Sequence, residues 1–159
     1  MEILPREILR ATRARKHLII LMIDVDHFNS LIQCYGYQIV DCVLKTIEKR
    51  ITDVSDPFDL VFRFDGDEFF AIFSVKAGEA GMKQAQSIQD TLTTQPFDCE
   101  KQSISLIVSM GIAIYPTHGN TIDELIIKAE SALTQSKVAG GNQIILWSQN
   151  HKDGEAQGI

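Results

Sequence analysis

Six consecutive apolar residues, Leu18-Ile19-Ile20-Leu21-Met22-Ile23, constrain this chain more than any other segment. The run has the length of a strand, and its lack of polar alternation fits a strand buried on both faces. It stops abruptly at Asp24-Val25-Asp26. Two further runs, Asp59-Leu60-Val61-Phe62-Arg63-Phe64 and Phe69-Phe70-Ala71-Ile72-Phe73, flank the acidic segment Asp65-Gly66-Asp67-Glu68. Both are rich in aromatic and β-branched residues, so they read as a hairpin with Asp-Gly in a tight turn. Carboxylates concentrated at a hairpin tip repel one another. A hard cation with a preference for oxygen ligands, magnesium above all, relieves that cost.

Helical signals separate these strands. Ile3, Leu4, Ile8 and Leu9 lie among basic residues as in an amphipathic helix, with Arg6, Arg10, Arg13, Arg15 and Lys16 on its solvated side. Ile39, Val40, Val43, Leu44 and Ile47 recur at helical spacing. Residues 78–94 read as a polar surface helix with a weaker stripe through Met82, Ala85, Ile88 and Leu92. Residues 103–115 read as one long central strand, with Gly111 marking a bulge or a close approach. Thr121-Ile122-Asp123-Glu124 has the form of a capping box, and Gly140-Gly141 ends the helix it opens. Residues 143–147 make a last short strand. One hairpin combined with helical crossovers points to an α+β fold with helices packed on a sheet.

The 159 residues are enough for one domain with a substantial core, expected over residues 1–148, with a disordered tail over 149–159. No apolar stretch is long enough to span a bilayer, and the first fifteen residues are unlike a signal peptide, so the default location is the cytoplasm. Cys34, Cys42 and Cys99 show no metal-ligand spacing and read as reduced thiols, small core hydrophobes at most. A net charge of −6 argues against nucleic acid as a partner.

Asp24 and Asp26 follow the first strand, while Asp67 and Glu68 open the second strand of the hairpin. If the hairpin pairs beside the first strand, the two acidic groups meet at one sheet edge, as a magnesium-dependent phosphoryl-transfer centre requires. At this point the chain resembles the GGDEF family of diguanylate cyclase domains, which condense two GTP molecules into cyclic di-GMP. The resemblance rests on Ile23-Asp24-Val25-Asp26-His27-Phe28, Tyr35-Gly36 with Asp41, and Arg63-Phe64-Asp65-Gly66-Asp67-Glu68-Phe69. Val108-Ser109-Met110-Gly111-Ile112-Ala113, Pro116, the run from Ala129 to Leu133, Lys137 and Gly140 extend it. It implies a central, mostly antiparallel five-stranded sheet flanked by helices, like a polymerase palm.

The resemblance also implies roles. Asp24, the Val25 carbonyl, Asp67 and Glu68 would bind Mg2+ or Mn2+, and Asp67 or Glu68 would help activate the 3′-hydroxyl. Lys137 would contact phosphates, Phe28 would support the phosphate loop, and Asp41 would accept hydrogen bonds from guanine. GTP is the implied ligand, a homodimer is needed for any cyclase activity, and the chain is expected to belong to a larger multidomain signalling protein.

Departures from the family pattern gather on the substrate side. Ile32 occupies the position of the guanine-reading Asn, Asn29 that of a Lys, Tyr37 that of a His, and Gly141 that of an Arg near the phosphates. Asp65 replaces the small residue that opens the signature; it tolerates a left-handed backbone but adds negative charge where nucleotide approaches. Asp56-Pro57-Phe58-Asp59 stands where many members carry the Arg-x-x-Asp product site, so inhibition through that site is not expected. The expectation is a degenerate domain with a regulatory nucleotide- or metal-binding or dimerisation role. The alternative is a working homodimeric cyclase.

Overall fold

In the computed structural model, which describes residues 3–149, the apolar run forms the middle of strand β1 (His17–Val25). Its side chains alternate between two cores. Ile19, Leu21 and Ile23 face one side, against helices α2 (Phe28–Asp53) and α3 (Gly78–Thr93); Leu18, Ile20 and Met22 face the other, against α1 (Ile3–Arg13) and α4 (Ile122–Val138). A strand with no polar alternation is satisfied only by such double burial. The same period of two decides where the acid goes: Asp24 continues the even-numbered side and therefore faces α4.

Around β1 the sheet runs in the order β2 (Leu60–Arg63), β3 (Glu68–Val75), β1, β6 (Val108–Tyr115), β7 (Ile144–Leu146). Every pairing is antiparallel except that of β6 with β7. The five-stranded, mostly antiparallel expectation is met. No helix among the described residues is long and apolar enough to cross a membrane. The tail expected over 149–159 lies, from residue 150 onward, outside the described residues.

Two close approaches lock the layers. A Cβ on Gly111 of β6 would sit 2.2 Å from the Ala129 carbonyl oxygen and 2.3 Å from the Leu133 nitrogen, so α4 lies directly on the strand. Gly81 of α3 also lies close to β1, a Cβ there coming within 2.4 Å of the Ile19 side chain. The capping box of α4 is present, with Glu124 N–H donating to Thr121 Oγ1 at 3.2 Å and the Glu124 carboxylate accepting from Thr121 N–H at 3.3 Å.

Four expectations need correction. The strand expected over 103–115 is two strands, because residues 105–107 leave the ladder: Leu106 turns into the core and the Ile107 carbonyl accepts the Asp26 N–H at 2.9 Å. The first piece is β5 (Gln102–Ile104), which pairs with β4 (Phe97–Cys99) in a separate hairpin. That turn escapes sequence reading because Glu100 and Lys101 both adopt positive φ, a role turn chemistry normally gives to Gly or Asn. Second, Cys42 and Cys99 are not reduced thiols but a disulfide, joining α2 to the β4–β5 hairpin across a separation of 57 residues; Cys34 alone is free. Only packing brings the two sulfurs together. Third, the hairpin loop spans residues 64–67, and its left-handed residue is Gly66 (φ 56) rather than Asp65. Fourth, α2 starts at Phe28, well before the periodic stretch, and passes through a non-helical Gly36 (φ 81).

Arg50 clamps α2 to a neighbouring turn. Its guanidinium donates to the carbonyls of Thr91 (3.3 Å), Gln95 (2.8 Å) and Pro96 (2.6 Å) and lies 3.9 Å over the Phe97 ring, tying α2 to the turn after α3.

Candidate functional site at the end of the central strand

The C-terminal end of β1 sits between two partners in register. Asp24 lies opposite Glu68 of β3 on one side and Ser109 of β6 on the other. The hairpin therefore does pair beside the first strand, and the acidic groups meet. Asp24 is 5% exposed; one carboxylate oxygen is in an ion pair with Lys137, from the last turn of α4, and the other, Oδ1, is buried without a hydrogen-bond partner. Besides Lys137, a donor within reach of this carboxylate is the Asp67 carboxyl in its protonated form.

Asp67 completes the cluster from the hairpin loop, its carbonyl accepting the Val25 N–H at 3.4 Å. Burial, then the hydrogen-bond and charge interaction with Asp24, pushes the Asp67 carboxyl up from 3.8 to about 7. Glu68 is raised as well, by burial first and then by Asp24, with Lys137 opposing. Burial works to lower Lys137, but Asp24, Glu68 and Asp67 outweigh it and hold the ammonium above its ordinary range. Like charges have been gathered at one place, which is the pattern of a site prepared for a cation or for acid–base work.

Of these residues Asp24, Asp67 and Lys137 line a cleft of about 730 Å3, together with Val25, Phe28 and Gly141, whereas Glu68 is not part of that lining. Its floor is the entry to α2. His27 occupies the N-cap in a left-handed conformation (φ 55) and provides no side-chain cap; its carbonyl accepts the Ser30 N–H at 3.0 Å, and the two residues before Ser30, Phe28 and Asn29, line the cleft. A helix start lacking Ser, Thr, Asp or Asn at its cap is the signal by which sequence reading could have found this wall. The opposite wall is the turn 140–142. There Asp26 accepts from Ser109 Oγ at 2.6 Å and from Asn142 N–H at 2.8 Å, so it is a fastener of the cleft rather than a free ligand. A Cβ at Gly141 (φ +75) would lie 2.7 Å from the Asp26 carboxylate, so any larger residue there needs Asp26 to shift and takes a strained backbone.

The remaining expected residues are not gathered into the cleft. Asp41 is exposed on α2, paired with Lys45 at 3.1 Å and facing Arg63 at 3.8 Å. Ile32 is partly buried against the core. Asp65 is exposed in the hairpin loop, where its carbonyl accepts the Glu68 N–H at 2.9 Å. Asp59 holds the turn before β2, accepting from Asp56 N–H at 2.9 Å and from the Gln84 amide at 3.0 Å.

The donor set suits a small hard cation. Among the described residues no three carboxylate, imidazole or thiol side chains converge closely enough to hold an ion by themselves. Asp24 and Asp67 with the Val25 carbonyl nevertheless make the kind of two-carboxylate, all-oxygen set that magnesium uses when phosphates and water supply the rest. The orphaned Asp24 Oδ1 is the observation that favours such an occupant.

Fold and site together define an α+β domain with a carboxylate cleft at the C-terminal end of a central antiparallel strand. The sequence profile described as "Diguanylate cyclase, GGDEF domain" matches residues 1–143, and the chain belongs to the GGDEF family. It is 31% identical over 133 residues to the probable diguanylate cyclase DgcF of Escherichia coli K12, covering 80% of this chain and 42% of that protein. It is also 29% identical over 134 residues to the cyclic di-GMP phosphodiesterase NbdA of Pseudomonas aeruginosa, covering 84% of this chain. The crystal structure of the GGDEF domain of YfiN (TpbB) from the same species superposes with a TM-score of 0.88 at 29% identity, covering 92% of each chain. The chain spans only 17%, 20% and 37% of the length of three curated relatives it matches.

Proposed function

We propose that this chain is a GGDEF domain that keeps a divalent-cation and phosphate site but no longer reads guanine. It serves as a regulatory nucleotide- or metal-binding or dimerisation module of a longer, cytoplasmic protein in cyclic di-GMP signalling. The observation that carries this reading is the separation of two halves. Asp24, Asp67, Phe28 and Lys137 line one cleft. Asp41 stands outside that lining with Lys45 and Arg63 as its partners, and Ile32 offers guanine no hydrogen bond. An unsatisfied polar edge costs about 1–3 kcal/mol, or one to two decades of affinity.

In this reading Asp24 and Asp67, with the Val25 carbonyl, hold Mg2+ or Mn2+, and Glu68 stands in register beside them. A cation held there supplies positive charge to neutralise a triphosphate. Lys137 and the uncapped start of α2 orient the phosphates, and Phe28 fixes the floor of their loop.

A second reading, an active homodimeric cyclase, is favoured by one observation: Asp24, Asp67, Glu68 and Lys137 persist together at the same strand end. The deciding experiment incubates a concentrated, artificially dimerised sample with GTP and Mg2+ or Mn2+ and looks for cyclic di-GMP. The regulatory reading expects none; turnover that disappears in Glu68→Gln would overturn it. Calorimetry with GTP, ATP and a nonhydrolysable GTP analogue then tests the module itself. Similar affinities for GTP and ATP are expected, and absence of any heat reduces the domain to a protein-interaction role.

A further inference from the structure

We propose that Lys137 is an internal counter-cation: without ligand its ammonium stands in for positive charge at Asp24, and it must leave before a divalent cation can bind. The inference rests on the reading that Asp24 and Asp67 receive that cation.

The two partners of this ion pair are unequal. The Asp24 side chain is 7% exposed and fixed in the middle strand of the sheet, whereas the Lys137 side chain is 44% exposed at the end of α4. The anion cannot follow the cation, but the cation can swing out on its flexible stem at little cost. Lys137 also satisfies the site incompletely, since Asp24 Oδ1 stays buried with no partner from Lys137, and Asp67 can donate to Asp24 only while it is protonated. A single ammonium is thus a placeholder whose coordination is poorer than that of an ion with several ligand positions.

Asp24 is paired with this ammonium and Asp67 and Glu68 act on it through their charge, so a divalent ion entering the cluster meets a positive charge already in place. The two compete for the same carboxylate. When Lys137 leaves Asp24 it remains in the cleft lining, next to the turn at Gly140 and Gly141, where an anionic phosphate can receive it. Binding of metal alone is therefore penalised, and binding of metal together with a phosphate-bearing ligand is not. The ion pair makes occupancy of the site conditional on both. A site missing the usual second cation at Gly141 depends on this one side chain for that coupling.

The test titrates the full chain with Mn2+ alone, following the free ion by electron paramagnetic resonance, in wild type, Lys137→Met, Lys137→Gln and Lys137→Arg. With the competing charge gone, the Met and Gln variants are expected to bind Mn2+ at least about tenfold more tightly, the scale of an ion pair with one buried partner. Lys137→Arg keeps the charge and is expected to stay within about threefold of wild type. Thermal shifts give a second readout: Mn2+ is expected to raise the melting temperature of the neutral variants more than that of wild type. Lys137→Gln retains a donor for Asp24 and keeps the test decisive if the Met variant does not fold. Neutral variants that bind Mn2+ no more tightly than a wild type that does bind it overturn the counter-cation role alone. Absence of Mn2+ binding in all four proteins overturns both this role and the two-carboxylate site beneath it.

Discussion

Replacing Gly111 with Ala tests whether the sheet and α4 position the cleft as a unit. Gly111 does not adopt a left-handed φ, so alanine meets no backbone strain of its own, and the effect is purely one of space. The new Cβ would lie 2.2 Å from the Ala129 oxygen and 2.3 Å from the Leu133 nitrogen, both main-chain atoms that no rotamer change can remove. Helix α4 must retreat by roughly 0.8 Å merely to restore the 3.0 Å that is the practical minimum for a Cβ contact. Over-packing of this kind costs about 1–3 kcal/mol, and a clash with rigid backbone belongs at the top of that range. The expected loss is about 3 kcal/mol, or a fall of roughly 6–12 °C in melting temperature for a chain of this size. Urea unfolding measures it, with an unchanged m-value showing that native stability and not the denatured state has moved. Gly66→Ala is the control: its φ of 56 carries the left-handed penalty of about 1–2 kcal/mol, but nothing lies within 4 Å of the added carbon. A Gly111→Ala protein within about 1 kcal/mol of wild type, or less destabilised than Gly66→Ala, refutes the close-packed interface. Because α4 carries Lys137, the same substitution is expected to loosen the pair with Asp24 and to change Mn2+ affinity.

Three further outcomes are expected. Reducing Cys42–Cys99, which closes a loop across 57 residues, is expected to cost about 4 kcal/mol on the loop-entropy scale; thiol titration of the unreduced protein checks the premise, since three free thiols exclude the bond. Asp67 has a raised pKa in the fold, so the native state binds more protons than the unfolded chain between 3.8 and about 7. Without metal, stability is therefore expected to fall as pH rises through that window and to level off above it. After solvent screening the change is about 1–2 kcal/mol, and denaturation at several pH values should find the slope reduced in Asp67→Asn, with Glu68, also raised, keeping the remainder. Arg50→Ala removes three carbonyl partners and the stacking on Phe97 and is expected to cost about 2–3 kcal/mol, while leaving Mn2+ affinity within about twofold because the clamp is remote from the cleft. Calorimetric unfolding with a parallel Mn2+ titration separates the two effects.

Much of this protein is written in short-range pattern. The run from Leu18 to Ile23 demanded a doubly covered strand, the Thr-x-x-Glu box marked the start of α4, and Gly111 announced either a bulge or the close approach it makes, each because the physics involved operates within a few residues. The acidic run of the hairpin and the Asp24-Val25-Asp26 strand end likewise identified the family and the place where carboxylates would meet. Tertiary structure decided what those residues do. It made Asp26 a fastener through Ser109 and Asn142, gave Asp41 to Lys45 and Arg63, closed a disulfide between Cys42 and Cys99, and set Lys137 against Asp24. It also placed the β4–β5 turn on Glu100 and Lys101, two residues whose own preferences run against a positive φ. Periodicity and capping are local properties that a sequence carries openly. The partner of a carboxylate or thiol depends on distances across the chain, and those exist only once the two cores have closed around β1.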